Sequence, residues 1–131
     1  MVEDDQDVSG DRGVGMSELP PQVQNLIAQL QQVQQQLQLV ITQRAQIEAM
    51  LEETKQALEE LQKVDENTPI YKTVGSILVK ESKEKVVKEL TEKAESYDIR
   101  LKTLGRQEER LRERFAELQK KIQALLGQQA A

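Results

Sequence analysis

The 131-residue chain contains no cysteine, no histidine and no tryptophan, and its aromatic side chains are two tyrosines and one phenylalanine. Without cysteine there is no disulfide and no thiolate metal site, a composition that fits a reducing compartment. Without histidine, the commonest general base and commonest metal ligand are missing too. No nucleophile–base pair or phosphate-cradling glycine loop takes their place. The chain therefore offers no catalytic residue, no metal ligand set and no cofactor site, and an enzymatic role is not expected. An aromatic content of 2% argues against an ordinary globular core, because Phe, Tyr and Trp supply much of a core's buried area. Nor is there an apolar run near the roughly 20 residues that cross a bilayer, or a signal-peptide apolar stretch. The expectation is a cytoplasmic protein without a membrane partner.

Charge is unevenly spread. Lysine and arginine total 18 against 23 acidic residues, for a net charge of −5. Residues 1–15 hold Glu3, Asp4, Asp5, Asp7 and Asp11 against Arg12 alone, which leaves the rest of the chain near −1. No basic excess exists to track a phosphate backbone, so nucleic acid is not an expected partner. Residues 1–16, glycine-rich and poor in apolar side chains, read as a disordered acidic tail. Met16 begins Met-Ser-Glu-Leu-Pro-Pro, which looks like a start of its own. The tail is then an upstream-start extension or an expression remnant, or else a functional acidic segment. Ser17 is placed to cap a first helix whose first turn takes Pro20 and Pro21.

What the chain has in abundance is periodicity. Apolar residues recur at intervals of 3 and 4 through Val23, Leu26, Leu30, Val33, Leu37, Val40, Arg44, Ile47, Leu51, Thr54, Leu58 and Leu61. The rhythm returns in Val87, Leu90, Ala94, Tyr97, Leu101, Leu104, Glu108, Leu111, Phe115, Leu118, Ile122 and Leu125. Of these 24 positions 21 are apolar, where a composition of 37% would give about nine. Sustained heptads of this kind mean coiled coil. Two runs of equal length fold back on each other with Leu61 against Val87 and Val23 against Leu125. Arg44 and Glu108 fall in adjacent layers. Either they pair across the seam and fix its antiparallel register, or both side chains reach outward to water.

Asn67 and Pro69 signal the end of the first helix, and Ser82 is placed to cap the second. Between them Ile70–Val74 and Ile77–Lys80 are β-branched runs around Gly75-Ser76. Glycine first in a two-residue loop predicts a type II′ hairpin pairing Val74 with Ile77 and Lys72 with Val79. One face should show Ile70, Val74, Ile77 and Val79, and the other Tyr71 and Leu78. A lone two-stranded hairpin is marginal in water and leaves two unpaired edges. Either hairpins from several chains close into a barrel or sheet, or the hairpin folds back on its own helices. The predicted segments are a tail at 1–16, a helix at 17–64, the oligomerising hairpin at 65–81, a helix at 82–127 and a frayed end at 128–131, with Gly127 as the stop. The fold class is mainly α: a long antiparallel two-helix coiled coil with one inserted β-hairpin that assembles into an oligomeric barrel.

The opposite end of the coil is unusual. Residues 22–43 carry no charge, and ten of those 22 positions are glutamine. Ile27 sits beside the seam, as Leu126 does on the other helix. Val23, Leu26 and Ile27 meet Ile122, Leu125 and Leu126 with few neighbours to cover them. Such an end is either an unselective apolar binding surface or a weakly wound terminus that frays.

Helix, a single hairpin reading Ile70-Tyr-Lys-Thr-Val-Gly-Ser-Ile-Leu-Val, then helix, resembles an archaeal prefoldin β subunit. Glu18-Leu-Pro-Pro-Gln-Val-Gln, Ala57-Leu-Glu-Glu-Leu and Arg106-Gln-Glu-Glu-Arg-Leu strengthen the likeness, which covers about residues 16–127 and leaves the acidic tail outside it. The resemblance implies a hexamer of two α and four β subunits with a double β-barrel body and six projecting coiled coils. It implies an ATP-independent holdase that takes non-native proteins at the coiled-coil tips and passes them to a group II chaperonin. Carried onto this chain, assembly falls to Ile70, Tyr71, Val74, Gly75, Ile77, Leu78 and Val79. Capture falls to Val23, Leu26, Ile27, Leu30, Leu118, Ile122, Leu125 and Leu126. Two other readings stand beside it: a tethering coiled coil that docks one specific partner, and an RNA-binding arm using Lys93, Arg100, Arg114 and Lys121. On a body near neutrality those cations read better as a solvated flank.

Overall fold

The computed structural model describes residues 18–130. Elements run in the order α1 (Pro21–Lys63), β1 (Ile70–Val74), β2 (Ile77–Glu81) and α2 (Lys83–Ala130). The acidic segment 1–16 and the expected cap Ser17 lie outside the described residues. Pro21 opens α1, where a missing N–H is harmless and a fixed φ suits the helix. Gln24 secures this turn, its backbone N–H donating to the Pro20 carbonyl at 3.0 Å and its side-chain amide to the Leu19 carbonyl at 2.7 Å.

The connection out of α1 is a tight turn in which the Thr68 N–H donates to the Asp65 carbonyl at 3.0 Å. Lys83, the first residue of α2, donates through Nζ to the Val64 carbonyl at 2.9 Å. It satisfies an acceptor that the end of α1 leaves open. Ser82 caps α2: its Oγ accepts from the Lys85 N–H at 3.2 Å and its carbonyl from the Val86 N–H at 3.1 Å. From there α2 runs unbroken through Gly105 and Gly127 to Ala130. The helix thus continues past Gly127, where a stop was expected. A glycine ends a helix by turning left-handed, and among the described residues only Gly75 has a positive φ. A glycine that keeps helical angles costs about 1 kcal/mol relative to alanine without breaking the hydrogen-bond ladder.

The chain forms two compact units, a hairpin unit of residues 39–108 and a terminal unit made of the residues up to 38 and those from 109 onward. In the hairpin unit the buried side chains are Val40, Ile47, Leu51 and Thr54 of α1 with Leu104 and Glu108 of α2. In the terminal unit they are Val23, Val33 and Leu118. Every one of these is a seam position of the heptad pattern, so burial is confined to one narrow stripe per helix. Thr54 is accommodated there because its hydroxyl donates to the Met50 carbonyl one turn back, at 2.8 Å.

Candidate functional site

The hairpin pairs Ile70 with Glu81, Tyr71 with Lys80, Lys72 with Val79, Thr73 with Leu78 and Val74 with Ile77. Gly75 takes φ +60° in a two-residue loop, the backbone that a type II′ turn requires at its first position. No atom crowds the place where its Cβ would stand, so the left-handed backbone alone demands glycine. Directly opposed residues share a face. Tyr71, Thr73, Leu78 and Lys80 therefore form one face, and Ile70, Lys72, Val74, Ile77, Val79 and Glu81 the other. The second face is more polar than the apolar positions alone suggested. Lys72 Nζ lies 3.1 and 3.3 Å from the Glu89 carboxylate oxygens, and Glu81 lies 3.5 Å from Lys85 Nζ. Both contacts reach the first turns of α2 and orient the base of the hairpin. Counting the cross-strand partners of Val79 and Ile70 would have flagged Lys72 and Glu81; nothing in the sequence singled out Glu89.

The rest of the hairpin is bare. Leu78 is 70% exposed, Tyr71 and Ile77 are each 59% exposed, and Val74 and Val79 are exposed as well. These five are more than half of the nine large exposed apolar residues among those described, gathered on one ten-residue ribbon. The sheet has two strands, so each presents an unpaired edge among the described residues. Single exposed residues such as Leu39 and Ile99 on the helices have no such company.

Arg44 and Glu108 meet in the hairpin unit, with Arg44 Nη1 2.5 Å from Glu108 Oε1 and Nε 3.5 Å from Glu48. Glu108 is buried and Arg44 half-buried. Reversing one charge sets Arg44→Glu beside Glu108 and Glu48. The expected cost is about 1–3 kcal/mol, below that of a fully buried pair because Arg44 reaches water. Exchanging both residues should recover most of the loss in a thermal melt. If the single reversal is as harmless as the exchange, the pair does not secure the seam.

In the terminal unit the eight residues assigned to capture divide. Val23 and Leu118 are fully buried in the seam, at 1% and 0% exposure, and offer no surface in this conformation. Val23 is thus covered where few neighbours were expected for it. Leu26, Ile27, Leu30, Ile122 and Leu125 are half-buried, and Leu126 is exposed. Val23 and Leu125 line a shallow hollow rimmed by Pro20, Gln22 and Gln128. Arg114 donates through Nη2 to the Gln29 amide oxygen at 3.0 Å and lies 3.4 Å from Glu117.

Comparison with known proteins gives one consistent answer. The family model described as prefoldin subunit matches residues 24–129. The prefoldin subunit beta of Archaeoglobus fulgidus is 75% identical over 115 residues, spanning 88% of this chain and 99% of that protein. That of Methanosarcina acetivorans is 53% identical over 114 residues, or 87% and 97% of the two chains. The crystal structure of the prefoldin beta subunit from Thermococcus strain KS-1 superimposes with a TM-score of 0.77 at 46% identity, covering 82% of this chain and 94% of that one. No described helix is long and apolar enough to cross a membrane. Two heptad helices joined through a bare type II′ hairpin, matched along nearly their whole length, place the chain in the prefoldin family of chaperones as a β-type subunit.

Proposed function

We propose that this chain is the β subunit of a cytoplasmic, ATP-independent holdase, built as a hexamer with two α-class prefoldin subunits and four copies of itself. Residues 70–79 complete β-barrels with neighbouring chains. The half-buried and exposed apolar residues of the terminal unit bind non-native polypeptide and release it to a group II chaperonin. One observation carries the reading: a two-stranded ribbon exposes Tyr71, Val74, Ile77, Leu78 and Val79 together, an arrangement that water penalises and that strands from neighbouring chains would relieve. Membership of the prefoldin family supplies the kind of partner. The capture end has weaker support, from the uncharged glutamine-rich stretch 22–43 and from the exposure of Leu126. Such a surface makes no sequence-specific demand on what it touches.

The test needs no nucleotide. Mixed with an α-class prefoldin subunit, the chain should delay aggregation of an unrelated denatured protein at near-stoichiometric amounts, read as light scattering. An intact oligomer that delays none of several denatured proteins would point instead to a tether that docks one dedicated partner.

A further inference from the structure

We infer that Lys80 makes the β2 edge of the ribbon selective: it favours a strand from an α-class subunit that carries a carboxylate on the matching face, and disfavours a second copy of this chain. The inference rests on the reading that α-class subunits share the assembly. The ionic residues of the two strands are Lys72, Lys80 and Glu81. Lys72 is paired with Glu89 and Glu81 with Lys85, so the chain's own α2 neutralises the charges of the face they occupy. Lys80 lies on the opposite face with Tyr71, Thr73 and Leu78. It is exposed and has no hydrogen-bond or ion-pair partner among the described residues.

A strand that continues a sheet keeps its faces continuous, because side chains alternate along each strand and opposed residues share a side. Any strand laid on β2 to cover Leu78 therefore runs past Lys80, two residues on and about 7 Å away on the same face. An ammonium group donates hydrogen bonds and accepts none, and covering it without an acceptor is costly. A copy of this chain brings no carboxylate to that face. Its ribbon offers Tyr71, Thr73, Leu78 and Lys80 there, while its Glu81 stands on the other face with Lys85. The antiparallel register that overlaps all of β2 with the copy's β2 opposes Lys80 to Leu78. It leaves the two lysines on a diagonal of about 7–8 Å, within reach of long side chains, so they repel. Lysine on an edge strand guards against pairing with like strands. Here it also defines what the right strand must bring, an Asp or Glu on the face of Leu78.

The experiment uses two variants of the full chain, Lys80→Thr and Lys80→Glu, with circular dichroism to show that each keeps its helices. Position 80 is exposed, so neither variant empties a packed site. In sedimentation equilibrium without an α-class subunit, Lys80→Thr should self-associate about 10-fold more tightly than the unaltered chain. An equimolar mixture of the unaltered chain and Lys80→Glu should form mixed complexes at concentrations where each alone stays dissociated, seen by native mass spectrometry. With an α-class subunit the order reverses. Lys80→Thr should bind it about 10-fold more weakly, and Lys80→Glu more weakly still. Equal self-association of Lys80→Thr and the unaltered chain, equal affinity of the two for the α-class subunit, or a mixture that associates no better than its components overturns the inference. If the unaltered chain does not bind an α-class subunit at all, the reading of the assembly falls instead. Self-association and mixing then still decide whether Lys80 guards the edge.

Discussion

Leu78→Asp should collapse the oligomer to a species of subunit mass while leaving helix content nearly unchanged. Leu78 is the most exposed large apolar residue described, and it lies on the face opposite Lys72 and its ion pair with Glu89. Most of its side chain is uncovered within its own chain, so most of its contribution is collected only when another chain covers it. Burying a leucine contributes about 1.5–3 kcal/mol, and a carboxylate placed in the same apolar contact adds a desolvation penalty of similar size or more. At tenfold per 1.4 kcal/mol, each contact should weaken by at least about 100-fold. The checking measurements are light scattering behind size exclusion for mass and far-ultraviolet circular dichroism for helix. Ile99→Asp is the control: that residue is 65% exposed on α2 but stands alone, and its replacement should leave the mass unchanged. Unfolding of Leu78→Asp would mean that the ribbon holds the helices up.

The difference between Leu78 and Ile99 also separates what was legible in the sequence from what was not. A 3,4 spacing names the seam because each helix buries one stripe, and all the buried side chains fall on it. Gly75-Ser76 names the hairpin and its register because a two-residue loop with one left-handed residue permits a single pairing of the flanking strands. Ser82 names the start of α2 because an exposed first turn needs an oxygen for its orphan N–H groups. Other features depend on side chains that come together only after folding. Nothing in the periodicity links Lys83 to the Val64 carbonyl or Lys72 to Glu89. Gly127 has the chemistry of a stop, but glycine permits a left-handed turn without imposing one. The terminal unit was the hardest to read. Heptad position shows that Val23 and Leu118 belong to the seam, but how fully each is covered is set by packing at each layer.

That packing yields the second large effect, which separates residues that hold the terminal unit together from those available to a ligand. Leu118→Ala empties a site with no exposed surface and should cost about 2–5 kcal/mol, seen as early melting of helix signal. Ile27→Gln with Leu126→Gln alters half-buried and exposed positions beside the seam. Glutamine is a good helix former and already fills much of this stretch of α1, so melting should shift by no more than about 1 kcal/mol. Binding of an uncharged apolar peptide should nevertheless fall about tenfold, from removing roughly half of each side chain's burial in the complex. A double variant that melts early and binds normally would reverse the two assignments, making Ile27 and Leu126 structural. If instead Leu118→Ala binds more tightly while melting early, the seam itself opens to take polypeptide. Val23 and Leu118 would then rejoin the capture surface in the opened state.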